Sequence, residues 1–313
     1  MVTKVHRDAL RGEIGSLRLL VEKSAAVDPL GSRSLRKRLE NLEAELRAIE
    51  AQETRSANVA LIFDGAVVRG SSAIEADFAG KALLDYQELI AKHVAANDGG
   101  LAQRGRLSDD VHRQAKMNIT GLVHGSFGFV LEEDDSEQLG MFESPAYLAV
   151  QEVNDLLADV GSATDEAFDG RLAELDSRIF NALKRFVGHL HRSESTLRVA
   201  DQDRELKFDR SSLARAFERV SRVDIEEDDG AFLGELLGLV PVQRRFEFRR
   251  SDNGELLQGR VAPTLSADYL ERIDQEGVIA GGQWQATIRT KTIHHPDGRH
   301  ASVSHLLVDL ILI

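Results

Sequence analysis

Val59-Ala-Leu-Ile-Phe-Asp-Gly-Ala-Val-Val-Arg-Gly-Ser-Ser72 and Met117-Asn-Ile-Thr-Gly-Leu-Val-His-Gly-Ser-Phe-Gly-Phe-Val-Leu131 bracket the stretch, Asn58 to Glu133, on which the fold turns. The first segment opens with an apolar run, Val59–Phe63, stopped by Asp64-Gly65. That is the pattern of a short buried strand. Ser71 or Ser72 then stands where a helix N-cap belongs, ahead of Ile74, Phe78, Ala82, Tyr86, Leu89, Ile90 and Val94 at helical spacing. Asn97-Asp-Gly-Gly100 ends that helix, and residues 101–116 read as polar and irregular. In the second segment Ile119, Leu122, Phe127, Phe129 and Leu131 suit two strands, with His124-Gly125-Ser126 as the turn or bulge. A strand, a helix and a hairpin packed together make an α+β domain.

Downstream, apolar periodicity predicts two helices over 146–192, broken near Gly161. A strand pair follows, Thr196–Ala200 and Glu205–Asp209. A helix capped by Ser211 or Ser212 then carries Leu213, Phe217 and Val220. Glu226-Glu-Asp-Asp-Gly230 reads as a solvated acidic loop, like Glu132–Asp135. From Phe232 the texture changes. Arg244–Arg250 alternates, Ser251-Asp-Asn-Gly254 is a hairpin turn, and Gln283–Ile293 alternates again before His295-Pro-Asp-Gly298. Short strands, tight turns and one intervening helix predict a small antiparallel barrel-like β-domain.

Upstream, residues 5–24 and 34–52 read as two helices joined by a Pro-Gly-Ser turn. Leu10, Ile14, Leu17 and Val21, then Leu35, Leu39, Leu42, Leu46 and Ile49, recur at heptad steps with charged flanks. Such narrow stripes bury one another and leave surface for a partner, either the chain's own globular body or another chain. The expected organisation is therefore a coiled-coil-like helical hairpin over 1–56, a central α+β domain over 57–229 and the β-domain over 230–313.

Composition excludes several classes. The chain has 313 residues, no cysteine and a formal net charge of −13. The missing cysteines remove disulfides, zinc–thiolate sites and thiol nucleophiles. The acidic balance argues against duplex nucleic acid and anionic membrane as partners. No window is apolar enough to span a membrane and the N-terminus has no leader-like apolar core, so a cytoplasmic location is expected.

No convergent catalytic set and no metal or cofactor site is legible. Gly70, Ser71 and Ser72 offer backbone amides at the expected helix start, a geometry that holds phosphate, and His124 and Ser126 share a strand face if no bulge intervenes. These five are the candidate ligand-binding residues. They lack a P-loop lysine, a nucleophile elbow and an orienting acid. Arg185, His189 and His191 resemble the Arg-to-His spacing of HEPN-type ribonucleases, although Phe186 departs from the polar residue usual there. His294, His295, His300 and His305 crowd the last hairpin, where the turn itself accounts for the local composition. Arg244, Arg245, Arg249, Arg250 and Arg260 form the one basic patch, with Phe246, Phe248 and Trp284 nearby. That mixture suits single-stranded nucleic acid only if the aromatics face outward.

Phe63-Asp-Gly-Ala-Val-Val-Arg-Gly-Ser71, Gly121–Leu131 and Gly259-Arg-Val261 resemble segments of bacterial proteins that carry no assigned activity. Some proteins with similar hairpins occur near defence or conflict systems. The resemblance implies that setting and no functional residue. The leading expectation is a non-enzymatic interaction or sensing protein that self-associates through its hairpin. The alternatives are a ribonuclease-like or phosphate-handling enzyme, and single-strand binding by the β-domain.

Overall fold

The structure, a computed structural model, describes residues 4–24, 29–51, 56–98, 101, 105–123, 127–134, 143–202, 204–240, 242–267, 269, 282–294 and 301–313. The fold is α+β, with a helical hairpin, a sheet-and-helix body and a closed β-barrel.

Helices α1 (Lys4–Ser24) and α2 (Pro29–Ala51) pack on each other. Leu10, Ile14 and Leu17 are buried, while Val21, Leu35, Leu39, Leu42 and Leu46 are half-buried; the Ile49 side chain lies outside the described residues. Arg18 pairs with Glu43 at 2.7 Å and Arg38 with Glu13 at 2.6 Å. The second helix begins at Pro29, ahead of the expected start at 34, because proline at a first helical position gives up no hydrogen bond.

Strand β1 (Asn58–Gly65) is the centre of a five-stranded antiparallel sheet. Short strands β2 (Val68–Arg69) and β3 (Ala73–Ile74) form a separate hairpin after it. The sheet order is β4 (Met117–Val123), β5 (Phe127–Glu133), β1, β6 (Ser195–Ala200), β7 (Glu205–Phe208). Val59, Leu61 and Phe63 point into the main core, and Ala60 and Ile62 join Val130 and Ala200 in a small cluster on the opposite face. That two-sided burial is why β1 reads as a continuous apolar run.

Helices α3 (Ala76–Asp98), α5 (Pro145–Gly161), α7 (Ser177–Arg192) and α8 (Arg210–Arg222) cover the main face, contributing Tyr86, Leu89, Val153, Phe186 and Leu213 to the core. Several local expectations are corrected here. Residues 101–116 include a short helix, α4 (Asp109–Gln114), capped by Ser108. The span 146–192 holds three helices, since Asp176 accepts from the Arg178 amide and starts α7 separately from α6 (Glu166–Glu174). Asp209, not Ser211 or Ser212, caps α8 by accepting from the Ser212 amide at 2.7 Å.

The barrel runs β8 (Asp224–Val240), β9 (Arg245–Arg250), β10 (Leu256–Val261), β12 (Ser302–Leu312), β11 (Gln283–His294) and back to β8. β10 and β12 are its parallel pair, and a helical turn over 263–267 follows β10. This strand order is that of an OB-type Greek-key barrel. Phe246, Phe248, Trp284 and Ile288 fill the interior.

The acidic tetrad expected as a loop is the first half of β8. Two of its four acids lie opposite cations on β11, Glu227 facing Lys291 and Asp229 facing Arg289, while Glu226 and Asp228 face Thr292 and Thr290. Opposite charges directly across a ladder stabilise strand pairing, and solvated-loop composition is what such a pair looks like when read one strand at a time. The same two cations join barrel to body. Arg289 donates to both Asp229 oxygens, at 2.8 and 3.2 Å, and to the Leu101 carbonyl at 3.1 Å. Lys291 donates to the Leu172 carbonyl at 2.6 Å and to the Leu175 carbonyl, so it satisfies the C-terminal end of α6.

Candidate functional site

Gly70, Ser71 and Ser72 are exposed in the β2–β3 turn, where the Ser72 amide and hydroxyl both donate to the Arg69 carbonyl at 3.3 and 3.1 Å. Helix α3 starts only at Ala76, so these residues present no helix N-terminus. The expected cap is displaced because the chain uses the glycine, at φ +58°, to make a hairpin first. His124 and Ser126 lie outside the described residues.

Arg185 is held by acids of α3. It pairs with Glu88 and lies 3.7 Å from Asp85. Burial works to raise Glu88, but Arg185 and Lys92 outweigh it and hold it at about 2. Burial pushes Asp85 up against the pull of Arg185, and one of its oxygens is buried without a partner. His189 stacks on Phe78 and its Nε2 meets the Phe78 carbonyl at 3.1 Å. His191 stacks on Phe217. Both rings make packing contacts, and His189 also lies near enough to the Arg185-bound Asp85 to pull that carboxyl down against its burial.

On the barrel, Phe246, Phe248 and Trp284 are interior, so no base can stack on them. Arg249 pairs with Glu235, while Arg250 pairs with Asp252 and Glu255 and lies over the Phe232 ring. His294 pairs with Glu226 at 3.5 Å and His305 Nδ1 meets the Thr290 hydroxyl at 3.2 Å; His295 and His300 lie outside the described residues. Among the described residues no group of three His, Asp or Glu is placed to hold a metal.

The site with the most chemistry lies at the seam of body and barrel. A cleft of about 500 Å³ is lined from the body by His93, Glu152, Arg171 and Asp176 and from the barrel by Arg244, Arg260 and Arg289. Leu156, Ile179, Val261 and Val308 give it apolar walls. The volume falls in the range of small-molecule sites. His93 is buried in α3, and its Nδ1 lies 3.0 Å from Glu152 Oε2, which also accepts from Asn97 at 3.1 Å. Burial works to raise Glu152, yet His93, Asn97 and Arg171 outweigh it and hold the carboxyl below its usual range. The other nitrogen of His93, Nε2, is buried with no partner. Arg171 is paired with Asp159 at 3.1 Å and Arg289 with Asp229. Arg244 is exposed, makes no ion pair among the described residues, and has a left-handed backbone at φ +51°. Its carbonyl accepts from the Val261 amide at 2.9 Å, which fixes that conformation beside β10.

The basic patch had flagged Arg244 and Arg260 on the sequence. His93, Glu152, Arg171 and Asp176 were missed, since they come from four separate helices or helix ends with no local motif. Their one trace is the presence of Asp85, Lys92 and His93 inside the apolar-periodic α3, where a buried polar side chain demands a partner.

Comparisons with known protein families, with curated proteins and with solved structures return no match.

Proposed function

We propose that the protein is a non-enzymatic sensing or interaction protein that receives a small ligand in the seam cleft, in the bacterial defence or conflict setting that the segment resemblance implies. The observation that carries the reading is the position of the cleft. Its walls belong to two separately cored units, so a ligand there contacts both and stabilises their docking by mass action. Thermal melting of the full chain against a broad small-molecule library tests it. At least one ligand class should raise the melting temperature, with the gain abolished by filling the cleft with Ala262→Trp. A library without a hit, or hits indifferent to that substitution, would end the reading.

Self-association through α1 and α2 is the second part of this reading. What supports it is the exposure of Leu19 and Leu20, at 60% and 52%, beside the buried stripe of a highly charged hairpin. Light scattering of the full chain should give a multiple of the monomer mass, and the Leu19→Glu, Leu20→Glu double variant should give the monomer. A monomeric parent chain refutes it.

Single-strand nucleic-acid binding is favoured only by the barrel's strand order and by Arg245 and Arg249 on its outer face. It requires salt-dependent binding of a labelled oligonucleotide that is lost when Arg244, Arg245 and Arg249 become Glu. No binding at low salt removes it.

A further inference from the structure

We infer that the seam cleft takes a small organic anion, a phosphate or carboxylate carried on an apolar body, with the charged end on Arg244 and the apolar body against Leu156, Ile179 and Val308. The inference rests on the sensing reading above and names the chemistry of its ligand.

Charge comes first. The chain carries 52 acidic against 39 basic residues, yet four arginines and two carboxylates line this cleft. Counted with Asp159 and Asp229 behind the wall, four arginines meet four carboxylates, so the cationic character of the cleft is that of individual unpaired groups. The arginines also divide by task. Arg171 and Arg289 are neutralised by Asp159 and Asp229, neither of which lines the cleft, so these two serve the walls. Arg244 has no such acid among the described residues and its guanidinium retains its full hydrogen-bonding capacity for an incoming oxyanion.

Backbone geometry comes second. A non-glycine residue in the left-handed region is strained, and such strain concentrates at ligand sites. Here the Val261 amide and the turn before β9 hold Arg244 in that conformation at the mouth of the cleft. Glycine would relieve the cost and forfeit the guanidinium.

The third observation is His93. Its Nδ1 meets Glu152 at 3.0 Å, and Nε2 is buried with no partner in a residue 7% exposed. A buried unpaired polar atom is costly unless something completes it. The remaining walls are aliphatic, which suits a ring or short chain and leaves a bare inorganic ion without most of its contact surface.

The test is calorimetric titration of the full chain with inorganic phosphate, phenyl phosphate, benzoate, benzyl alcohol and a single-stranded dodecanucleotide. Phenyl phosphate or benzoate should bind at least tenfold more tightly than inorganic phosphate and than benzyl alcohol, and the two anions separate a phosphate from a carboxylate preference. Arg244→Gln should weaken the bound anion at least tenfold, while Arg245→Gln, on the adjacent exposed position, should leave it unchanged. Both variants keep the interior and are checked by their melting temperatures. Equal binding of benzyl alcohol overturns the anion assignment and leaves the sensing reading standing. Binding of the oligonucleotide alone overturns it in favour of the nucleic-acid reading. No binding by any probe overturns it as well, and the library melt then decides whether the cleft receives something else.

Discussion

Helices α3 and α5 carry two polar clusters within two turns of each other, and the two are built on opposite plans. In the first, the Tyr86 hydroxyl donates to Asn154 Oδ1 at 3.2 Å, Asn154 Nδ2 donates to Asp201 at 2.9 Å, and the Arg204 amide donates to Asp201 at 2.7 Å. Arg204 then spans to Asp155 and Gln151. Every buried side-chain atom of that chain has a partner. In the second, His93 and Glu152 meet at the cleft and one ring nitrogen is left over. A closed cluster serves the fold and rigidifies it, because each member is satisfied by another. An open one leaves a buried polar atom without a hydrogen bond, as His93 Nε2 does in a residue that lines the cleft.

The sharpest way to break this comparison is to open the closed cluster. Asn154→Leu removes the acceptor of Tyr86 and one donor of Asp201, whose carboxylate is 1% exposed. The expected loss is about 3 kcal/mol in urea unfolding. A loss below about 1 kcal/mol would show that the network is dispensable.

Lys291 is an intermediate case, since it is buried at the seam with two carbonyls accepting from its ammonium. Burial pushes its ammonium down to about 8 from 10.5. Below pH 8 the lysine is charged in both states and the folded state bears the cost of burying it. Between pH 8 and 10.5 the unfolded chain binds the proton and the folded chain does not, so stability rises with pH. The gain should be about 3 kcal/mol and should be absent from the stability profile of Lys291→Met. A parent and variant with parallel pH profiles would refute it.

Opening what is already open should matter little. His93→Leu is expected to change stability by less than about 1 kcal/mol, because the half-exposed Glu152 keeps Asn97 and water. A loss as large as that of Asn154→Leu would erase the distinction between the clusters. The smallest effect belongs to Arg244→Gly, which should stabilise the chain by roughly 0.5 kcal/mol by relieving its left-handed backbone. Destabilisation in thermal melts would mean that the side chain, not the backbone, holds the turn.

Much of the architecture was readable from local signals. The apolar run Val59–Phe63 predicted a strand, and Ser251–Gly254 predicted the hairpin between β9 and β10. Where the reading failed, two local options competed. Gly70 could serve a hairpin or a helix start, and Asp209 outcompeted the serines after it as a cap. The tetrad 226–229 looked like a loop because its stabilising cations lie about sixty residues away on β11. The cleft was least legible of all. Arg171, Arg244 and His93 converge only after body and barrel have docked, and no spacing along the chain encodes that meeting.

The parallel pairing of β10 with β12 has a consequence for the order of events during synthesis. All strands and helices of the body precede residue 223, so its core can consolidate while later residues are still being added. The barrel has no such option. Its third strand must wait for its fifth before the cylinder shuts, and an unpaired β10 edge is exposed until then. The finished body offers the Leu101, Leu172 and Leu175 carbonyls to Arg289 and Lys291 of β11, so the earlier unit braces the strand beside the one that closes the cylinder.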